Sequence, residues 1–150
     1  MVTETQKSAR PVRILLVEDD LGDANLTAEA FKESKIPVDM KRAADGEDAL
    51  KYLRKEGAYR GVASPDLILL DLNMPRKTGL EVLDEIKNDP RLSEIPVLVL
   101  TCSKSDADIR RAYDAKANFY IVKPSDLDEF YAAMKYVEEI WLKGVGTAAD

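Results

Sequence analysis

The sequence RILLVEDD, residues 13–20, holds a continuous apolar run that follows Arg13 and ends in three acidic residues. Three later stretches share this form, an unbroken apolar run closed by polar residues. They lie at residues 66–70 before Asp71, at 95–100 before Thr101, and at 118–122 before Lys123. Strands that are buried on both faces have this pattern, because neither face carries alternating polar side chains. The four stretches therefore predict four strands of a parallel sheet.

The segments between these strands carry apolar residues at spacings of three and four, which is typical of helices with one buried face. Four such helices are expected, beginning after Asp20, after Gly79, at Ser103 or Ser105, and at Leu127. A strand at residues 38–43 and a helix at 47–55 complete five strand–helix pairs. This alternation predicts right-handed βαβ units. We therefore expect an α/β fold with a doubly wound five-stranded parallel sheet, in the order 2-1-3-4-5, as the middle of three α/β/α layers.

Composition limits the chemistry of the chain. Its 150 residues suffice for one domain, and 28 acidic against 22 basic residues give a net charge of −6. Such a chain is not expected to bind nucleic acid, which needs clustered basic side chains. The absence of histidine excludes a Ser-His-Asp triad and histidine-ligated metals, and a single cysteine excludes an internal disulfide. No apolar window approaches the ~20 residues of a membrane span, so we expect a cytoplasmic protein without a membrane partner.

The two ends of the chain differ from its middle. Residues 1–10 are polar and aperiodic and predict a disordered lead. Residues 11–142 contain every predicted strand and helix and are expected to form the domain. Residues 143–150 include two glycines that should end the last helix, so they predict a flexible tail.

Polar residues at the predicted strand ends should meet at one edge of the sheet, where ligands bind in doubly wound folds. They are Glu18, Asp19, Asp71, Asn73, Thr101 and Lys123. Three carboxylates this close repel one another, and the Lys123 ammonium and a divalent metal could offset that charge. A ligand set of oxygens alone favours Mg²⁺. Asp71 could then attack phosphorus, while Thr101 and Lys123 bind the phosphoryl oxygens.

Each of these residues also has a purely structural interpretation. An acid that ends a strand is often a helix N-cap, which would explain Asp20 and Asp19. Thr101 could cap the next helix, and Lys123-Pro124 could form an ordinary turn. Such polar residues are nevertheless predicted at four strand ends of one edge. That joint placement favours a functional site.

The motifs at residues 14–20, 69–75 with Gly79, 100–101 and 122–124 resemble the receiver domain of two-component response regulators. The resemblance covers residues 11–142 and implies a flavodoxin-like, CheY-like fold. It implies that Asp71 is the phosphoacceptor, that Lys123 binds the phosphoryl group, and that Thr101 and Tyr120 are the switch residues. It further implies that Glu18, Asp19, Asp71 and the backbone carbonyl of Asn73 hold Mg²⁺.

A narrower resemblance concerns residues 19–24, the loop at 56–65, and residues 86–90 and 137–142. These segments are similar to stand-alone regulators that partner bacterial phytochromes and related sensor kinases. The resemblance implies a single-domain response regulator phosphorylated by a histidine kinase, and the absence of histidine agrees with a donor on another protein. Such a protein is a signalling domain that catalyses only its own phosphorylation and dephosphorylation.

Two other functions share part of this pattern. An aspartyl-phosphate phosphatase of the haloacid dehalogenase type also uses a strand-end aspartate and Mg²⁺, but it needs a second acid where this chain has Asn73. A degenerate receiver would bind partners without being phosphorylated. Nothing in the sequence favours the latter, because every expected position of the site carries a competent side chain.

The last predicted helix carries two apolar strips. Leu127, Phe130, Met134, Val137 and Trp141 are expected to pack on the sheet. Tyr131, Tyr136 and Ile140 cannot all point the same way as that strip, so they form a second strip that predicts a homodimer surface. Cys102 is expected to be a buried, small apolar residue.

Overall fold

The structure, a computed structural model, describes residues 10–143. It contains one parallel sheet, made of β1 Val12–Val17, β2 Val38–Ala43, β3 Leu67–Leu70, β4 Val97–Thr101 and β5 Phe119–Val122. The strand order is β2-β1-β3-β4-β5, and every neighbouring pair is parallel. The predicted fold class and strand order are confirmed.

Five α-helices connect and cover the strands. They are α1 Leu21–Lys32, α2 Gly46–Arg54, α3 Gly79–Asn88, α4 Asp106–Asp114 and α5 Leu127–Val137. A 3₁₀ turn at Gly57–Tyr59 follows α2, and a π-helical turn at Glu138–Leu142 continues α5. Each α-helix begins at a side chain that accepts a hydrogen bond from the third helical N–H, from Asp20, Asp45, Thr78, Ser105 and Asp126 in turn. These caps fix the points at which the chain turns from strand to helix.

The sheet separates two apolar clusters. Leu15 and Val17 of β1 face the cluster that α2, α3 and α4 cover, and Ile14 and Leu16 face the cluster that α1 and α5 cover. Both faces of the strand are therefore buried, which explains why its sequence is apolar without alternation. The helices fix the sheet from both sides, so the strand ends form one rigid edge.

Two expectations about burial are wrong. Leu127 does not pack on the sheet, since it is 54% exposed. It is the first residue of α5, beside the carboxyl edge of the strands, where no part of either cluster covers it. Cys102 is exposed rather than buried, because it follows β4 at a point that neither apolar cluster reaches.

The predicted ends of the domain lie mostly outside the described residues. Of the predicted lead, only Arg10 is described, and its guanidinium donates to the Asp66 carboxylate at 3.2 and 3.3 Å. Of the predicted tail, only Lys143 is described, and it is helical. The domain boundaries stay predictions. Within residues 10–143, no helix combines the length and the hydropathy that a membrane crossing requires.

Candidate functional site

Strand register brings the predicted acidic residues together. Val17 of β1 pairs with Leu70 of β3, so the residues that follow, Glu18 and Asp71, leave the sheet side by side. Carboxylate oxygens of Glu18, Asp19 and Asp71 all lie within 4.8 Å of one another. The Glu18 side chain is 3% exposed and that of Asp71 is 8% exposed, while Asp19 is exposed. Two buried carboxylates and one exposed carboxylate thus form a single acidic corner.

Lys123 enters this corner from the other half of the sheet. Thr101 at the end of β4 pairs with Val122 at the end of β5, which places Lys123 beyond the same edge. Its ammonium donates to Glu18 Oε1 at 2.6 Å and to Asp23 Oδ2 at 3.0 Å, and it lies 3.6 Å from Asp71 Oδ2. The lysine side chain is only 8% exposed. One buried cation therefore faces several carboxylates.

The charges shift one another's titration. Burial, together with the nearby Asp71 carboxylate, raises the pKa of Glu18 to about 7, although the hydrogen bond from Lys123 opposes that rise. Burial alone would lower the pKa of Lys123, but its hydrogen bonds to Glu18 and Asp23 raise that pKa above its usual range. The corner thus holds more negative charge than its lysine neutralises.

This donor set fits a divalent cation. Its ligand atoms are the carboxylate oxygens of Glu18, Asp19 and Asp71. Hard ions such as Mg²⁺ and Mn²⁺ prefer ligands of this kind to imidazole or thiolate. Burial is the main cause of the raised pKa of Glu18, and repulsion from the Asp71 carboxylate, which is part of the excess negative charge at the corner, adds to it. A bound cation would remove that excess.

Backbone contacts hold the acidic corner in place. Arg42 of β2 donates from Nε to the Glu18 carbonyl and from Nη2 to the Asp19 carbonyl, both at 2.9 Å. The Asn73 N–H donates to Asp71 Oδ1 at 3.2 Å. Gly79, at the start of α3, donates to the Leu72 carbonyl at 3.0 Å. These bonds fix the turns after β1 and β3 before any ligand binds.

The two predicted switch residues occupy neighbouring strands. Thr101 is fully buried, and its hydroxyl accepts a hydrogen bond from the Asn73 side-chain amide at 3.4 Å. Tyr120 is half-buried against the α2–α3–α4 cluster, so its ring is not simply a surface group. Its hydroxyl donates to the Ser103 carbonyl at 2.9 Å, and burial raises its pKa. Since the Thr101 hydroxyl also accepts from the Ser103 N–H at 3.5 Å, both residues contact the loop that follows β4.

Asp23 is a contact of the site that the strand-end argument missed. It belongs to the first turn of α1. In the sequence it lies within residues 19–24, which resemble the regulators that partner phytochromes, and the strand-end pattern predicts no contact for it. One signal was available, because a residue three positions after the Asp20 cap lies in the first turn of a helix that starts at the carboxyl edge. The sequence could not show that its carboxylate reaches Lys123.

The residues of the predicted homodimer surface lie away from this edge. Tyr136 is 47% exposed and Ile140 is 54% exposed, while Tyr131 is half-buried against the α1–α5 cluster. The exposed pair has the apolar surface that an interface would need. The homodimer itself stays a prediction.

Known proteins resemble this chain over most of its length. The family described as the response regulator receiver domain matches residues 14–135. Response regulator Rcp1 of Synechocystis sp. is 40% identical over 141 residues, which cover 94% of this chain and 96% of Rcp1. The structure of the phosphorylated cyanobacterial phytochrome response regulator RcpA has a TM-score of 0.85 and 46% identity, and the comparison covers 89% of this chain and 95% of that one. The Mn²⁺-bound form of Rcp1 has a TM-score of 0.84 and 41% identity, over 88% and 95% of the two chains.

The fold, the geometry of the site and the sequence comparisons therefore indicate the same family. The sheet order and the acidic corner were established from the chain itself, and the family match spans both. Receiver domains bind a divalent metal, and a carboxylate cluster suited to one is present. The chain belongs to the response regulator receiver domains, the signalling modules of two-component systems that are phosphorylated on an aspartate.

Proposed function

We propose that Asp71 is the phosphoacceptor of this receiver domain. The observation that carries the proposal is its nearly buried carboxylate, which lies beside Glu18 and Asp19 and 3.6 Å from the Lys123 ammonium. An Asp71 oxygen attacks the phosphorus of a phosphohistidine and forms an O–P bond. The P–N bond breaks, and its electron pair leaves on the imidazole nitrogen of the donor. Burial excludes most water from the carboxylate, which favours attack on phosphorus.

Glu18, Asp19, Asp71 and the backbone carbonyl of Asn73 would hold Mg²⁺. When bound, the ion offsets the negative charge that develops on the phosphoryl oxygens. Lys123 donates a hydrogen bond to one of these oxygens. The Thr101 hydroxyl, now bonded to the Asn73 amide, would donate to another. The chain thereby catalyses its own phosphorylation, also from small phosphodonors.

Thr101 and Tyr120 would transmit the phosphorylated state to the surface made by α4, β5 and α5. A hydroxyl drawn towards the phosphoryl group changes the packing at the end of β4, where the loop carries the Ser103 carbonyl that Tyr120 binds. The Tyr120 ring could then move further inward. Together the two side chains form an element with two arrangements, and the phosphoryl group favours one of them.

The phosphoryl donor is proposed to be a cytoplasmic sensor histidine kinase of the phytochrome type. Support comes from RcpA, which is a phytochrome response regulator and is 46% identical to this chain. The absence of histidine also means that the chain cannot supply the phosphohistidine. We further propose a homodimer through the surface that includes Tyr131, Tyr136 and Ile140.

Intact-protein mass spectrometry tests the phosphoacceptor. The protein is incubated with acetyl phosphate, with Mg²⁺ or with a chelator. We expect one phosphoryl group on the wild type with Mg²⁺, and none on Asp71→Asn. Asp128→Asn is the matched control, because it removes an exposed carboxylate of α5 and should be phosphorylated like the wild type. Phosphorylation of Asp71→Asn at the wild-type level would overturn the assignment.

The same mass measurement, together with an assay of phosphate release, separates the other functions. A degenerate receiver would gain no mass under any condition. A phosphatase of the haloacid dehalogenase type would release inorganic phosphate from an added phosphate monoester in many turnovers per chain. We expect no such turnover, because Asn73 lacks the carboxyl that would serve as general acid, and its amide instead binds Thr101.

A further inference from the structure

The Asp23 carboxylate contacts the site although it follows no strand. Its side chain is 46% exposed, and it accepts a hydrogen bond from Lys123 at 3.0 Å. The other bonds of this residue use its backbone. Its N–H donates to the Asp20 side chain, and its carbonyl accepts from the Thr27 hydroxyl. The side chain therefore does not cap the helix, and its hydrogen bond is to Lys123.

Lys123 lies closer to Asp23 and Glu18 than to Asp71. Its distances to the three carboxylates are 2.6 Å for Glu18, 3.0 Å for Asp23 and 3.6 Å for Asp71. A separation of 3.6 Å is too long for a hydrogen bond. The ammonium is thus held by the two carboxylates that are not the proposed phosphoacceptor. A phosphoryl group on Asp71 has to draw Lys123 away from at least one of them.

The two bonds of Lys123 differ in how easily they break. The Glu18 side chain is 3% exposed, so water cannot replace the lysine there, and an unpaired buried carboxylate is costly. The Asp23 side chain is 46% exposed, so water can solvate its carboxylate as soon as the lysine leaves. The bond to Asp23 is therefore the one that gives way.

We propose that Asp23 is a positioning residue that competes with the phosphoryl group for Lys123. This inference rests on the proposed function, since it takes Asp71 as the phosphoacceptor. Before phosphorylation, Asp23 holds the ammonium on the α1 side of the corner. During phosphoryl transfer, Lys123 exchanges Asp23 for a phosphoryl oxygen. Asp23 thus slows phosphorylation by acting through the lysine, without touching the reacting atoms.

The test compares two carboxylates at the same helix end. Asp23→Asn removes the charge that binds Lys123. Asp20→Asn is the matched control, because it removes the same charge from the start of the same helix and keeps an effective cap. With acetyl phosphate and Mg²⁺, we expect Asp23→Asn to be phosphorylated about two to five times faster than the wild type, the size of one partly exposed ion pair. Asp20→Asn should remain within a factor of about 1.5 of the wild-type rate, since it has no bond to Lys123.

Two further measurements separate positioning from a structural role. Asp23→Ala also removes the oxygen that an asparagine could still offer to the ammonium, so its rate should equal or exceed that of Asp23→Asn. Circular dichroism should show the same helix content in all three variants, because the cap and the Thr27 bond do not use this side chain.

Each outcome has a definite meaning. Equal acceleration by Asp23→Asn and Asp20→Asn would overturn the inference, because the effect would then come from the loss of any negative charge near the site and not from the bond to Lys123. An unchanged or lower rate in Asp23→Asn would also overturn it, while wild-type phosphorylation would leave the proposed function standing. A wild type that gains no phosphoryl group would reject the proposed function itself.

Discussion

Replacing Gly79 with alanine should disturb the site through the backbone. Gly79 is the first residue of α3, and a Cβ there would lie 2.3 Å from the Asp71 carbonyl oxygen and 2.6 Å from the Leu72 Cα. Ordinary van der Waals contact begins at 3.4 Å, so the first distance is 1.1 Å too short. Both obstructing atoms belong to the backbone. Either α3 or the turn that carries Asp71 has to move by about 1 Å.

The displacement sets the size of both effects. Forcing an extra methyl group into a packed site costs about 1–3 kcal/mol. The higher helix propensity of alanine offsets at most about 1 kcal/mol, and less at the first position of a helix. We therefore expect Gly79→Ala to lower the free energy of unfolding by about 1–2 kcal/mol. A reacting group misplaced by about 1 Å can lose about 100-fold in rate, so phosphorylation should slow by up to that factor.

Urea unfolding and the rate of phosphorylation by acetyl phosphate measure these two quantities. Gly22→Ala is the matched control, because Gly22 also lies in the first turn of a helix and its added Cβ would meet only the Asp20 side chain, at 3.2 Å. The control should keep the wild-type rate and lose less stability than Gly79→Ala, because only a flexible side chain has to move, by 0.2 Å. If Gly79→Ala matches Gly22→Ala in both assays, the close approach of α3 to Asp71 does not constrain the site.

Three other changes test separate parts of the structure. Thr101→Ala should still accept a phosphoryl group but lose the phosphorylation-dependent change in affinity for the kinase, measured by calorimetry, because no hydroxyl remains to follow the phosphoryl group. The Arg91 hydrogen bond lowers the pKa of Asp89 from 3.8 to about 2, so the stability that this pair contributes is present above pH 3.8 and is lost as the pH falls through 2. In Arg91→Gln, the pKa of Asp89 measured by NMR should move back towards 3.8. The double replacement of Tyr136 and Ile140 by serine should convert a dimer to a monomer in light scattering while Asp71 phosphorylation continues.

The fold was predictable because its strands are buried on both faces. The run at residues 14–17 is apolar throughout, since its side chains enter two different clusters, and this pattern is typical of strands that are buried on both faces. The site residues followed from the strand ends, because parallel register aligns them without further information. Tertiary contacts of single side chains were harder to predict. The bond between Asp23 and Lys123 spans 100 residues, and no local pattern encodes it.

Burial at element boundaries was also poorly predicted. Leu127 fits the helical spacing of α5. That spacing predicts the face of the helix on which a side chain lies, but not how far the apolar core extends along the helix axis. The burial of Cys102 was predicted from its residue type, whereas its exposure depends on its position outside both apolar clusters. The π-helical turn at Glu138–Leu142 changes the spacing on which the prediction for the end of this helix relied.

The cations that flank the acidic corner come from opposite margins of the sheet. Arg42 belongs to β2, Lys123 directly follows β5, and these are the two edge strands. The acids between them come from the central strands, so a chain emerging from the ribosome has the carboxylates long before it has the lysine. Because Lys123 would bind the phosphoryl group, we expect phosphoryl transfer to Asp71 to require the last strand. The carboxylates that would hold the metal need only β1 and β3. A ligand that binds only the assembled sheet stabilises the folded state by mass action, so a cation held by the acids after β1 and β3 would favour the pairing of these two strands.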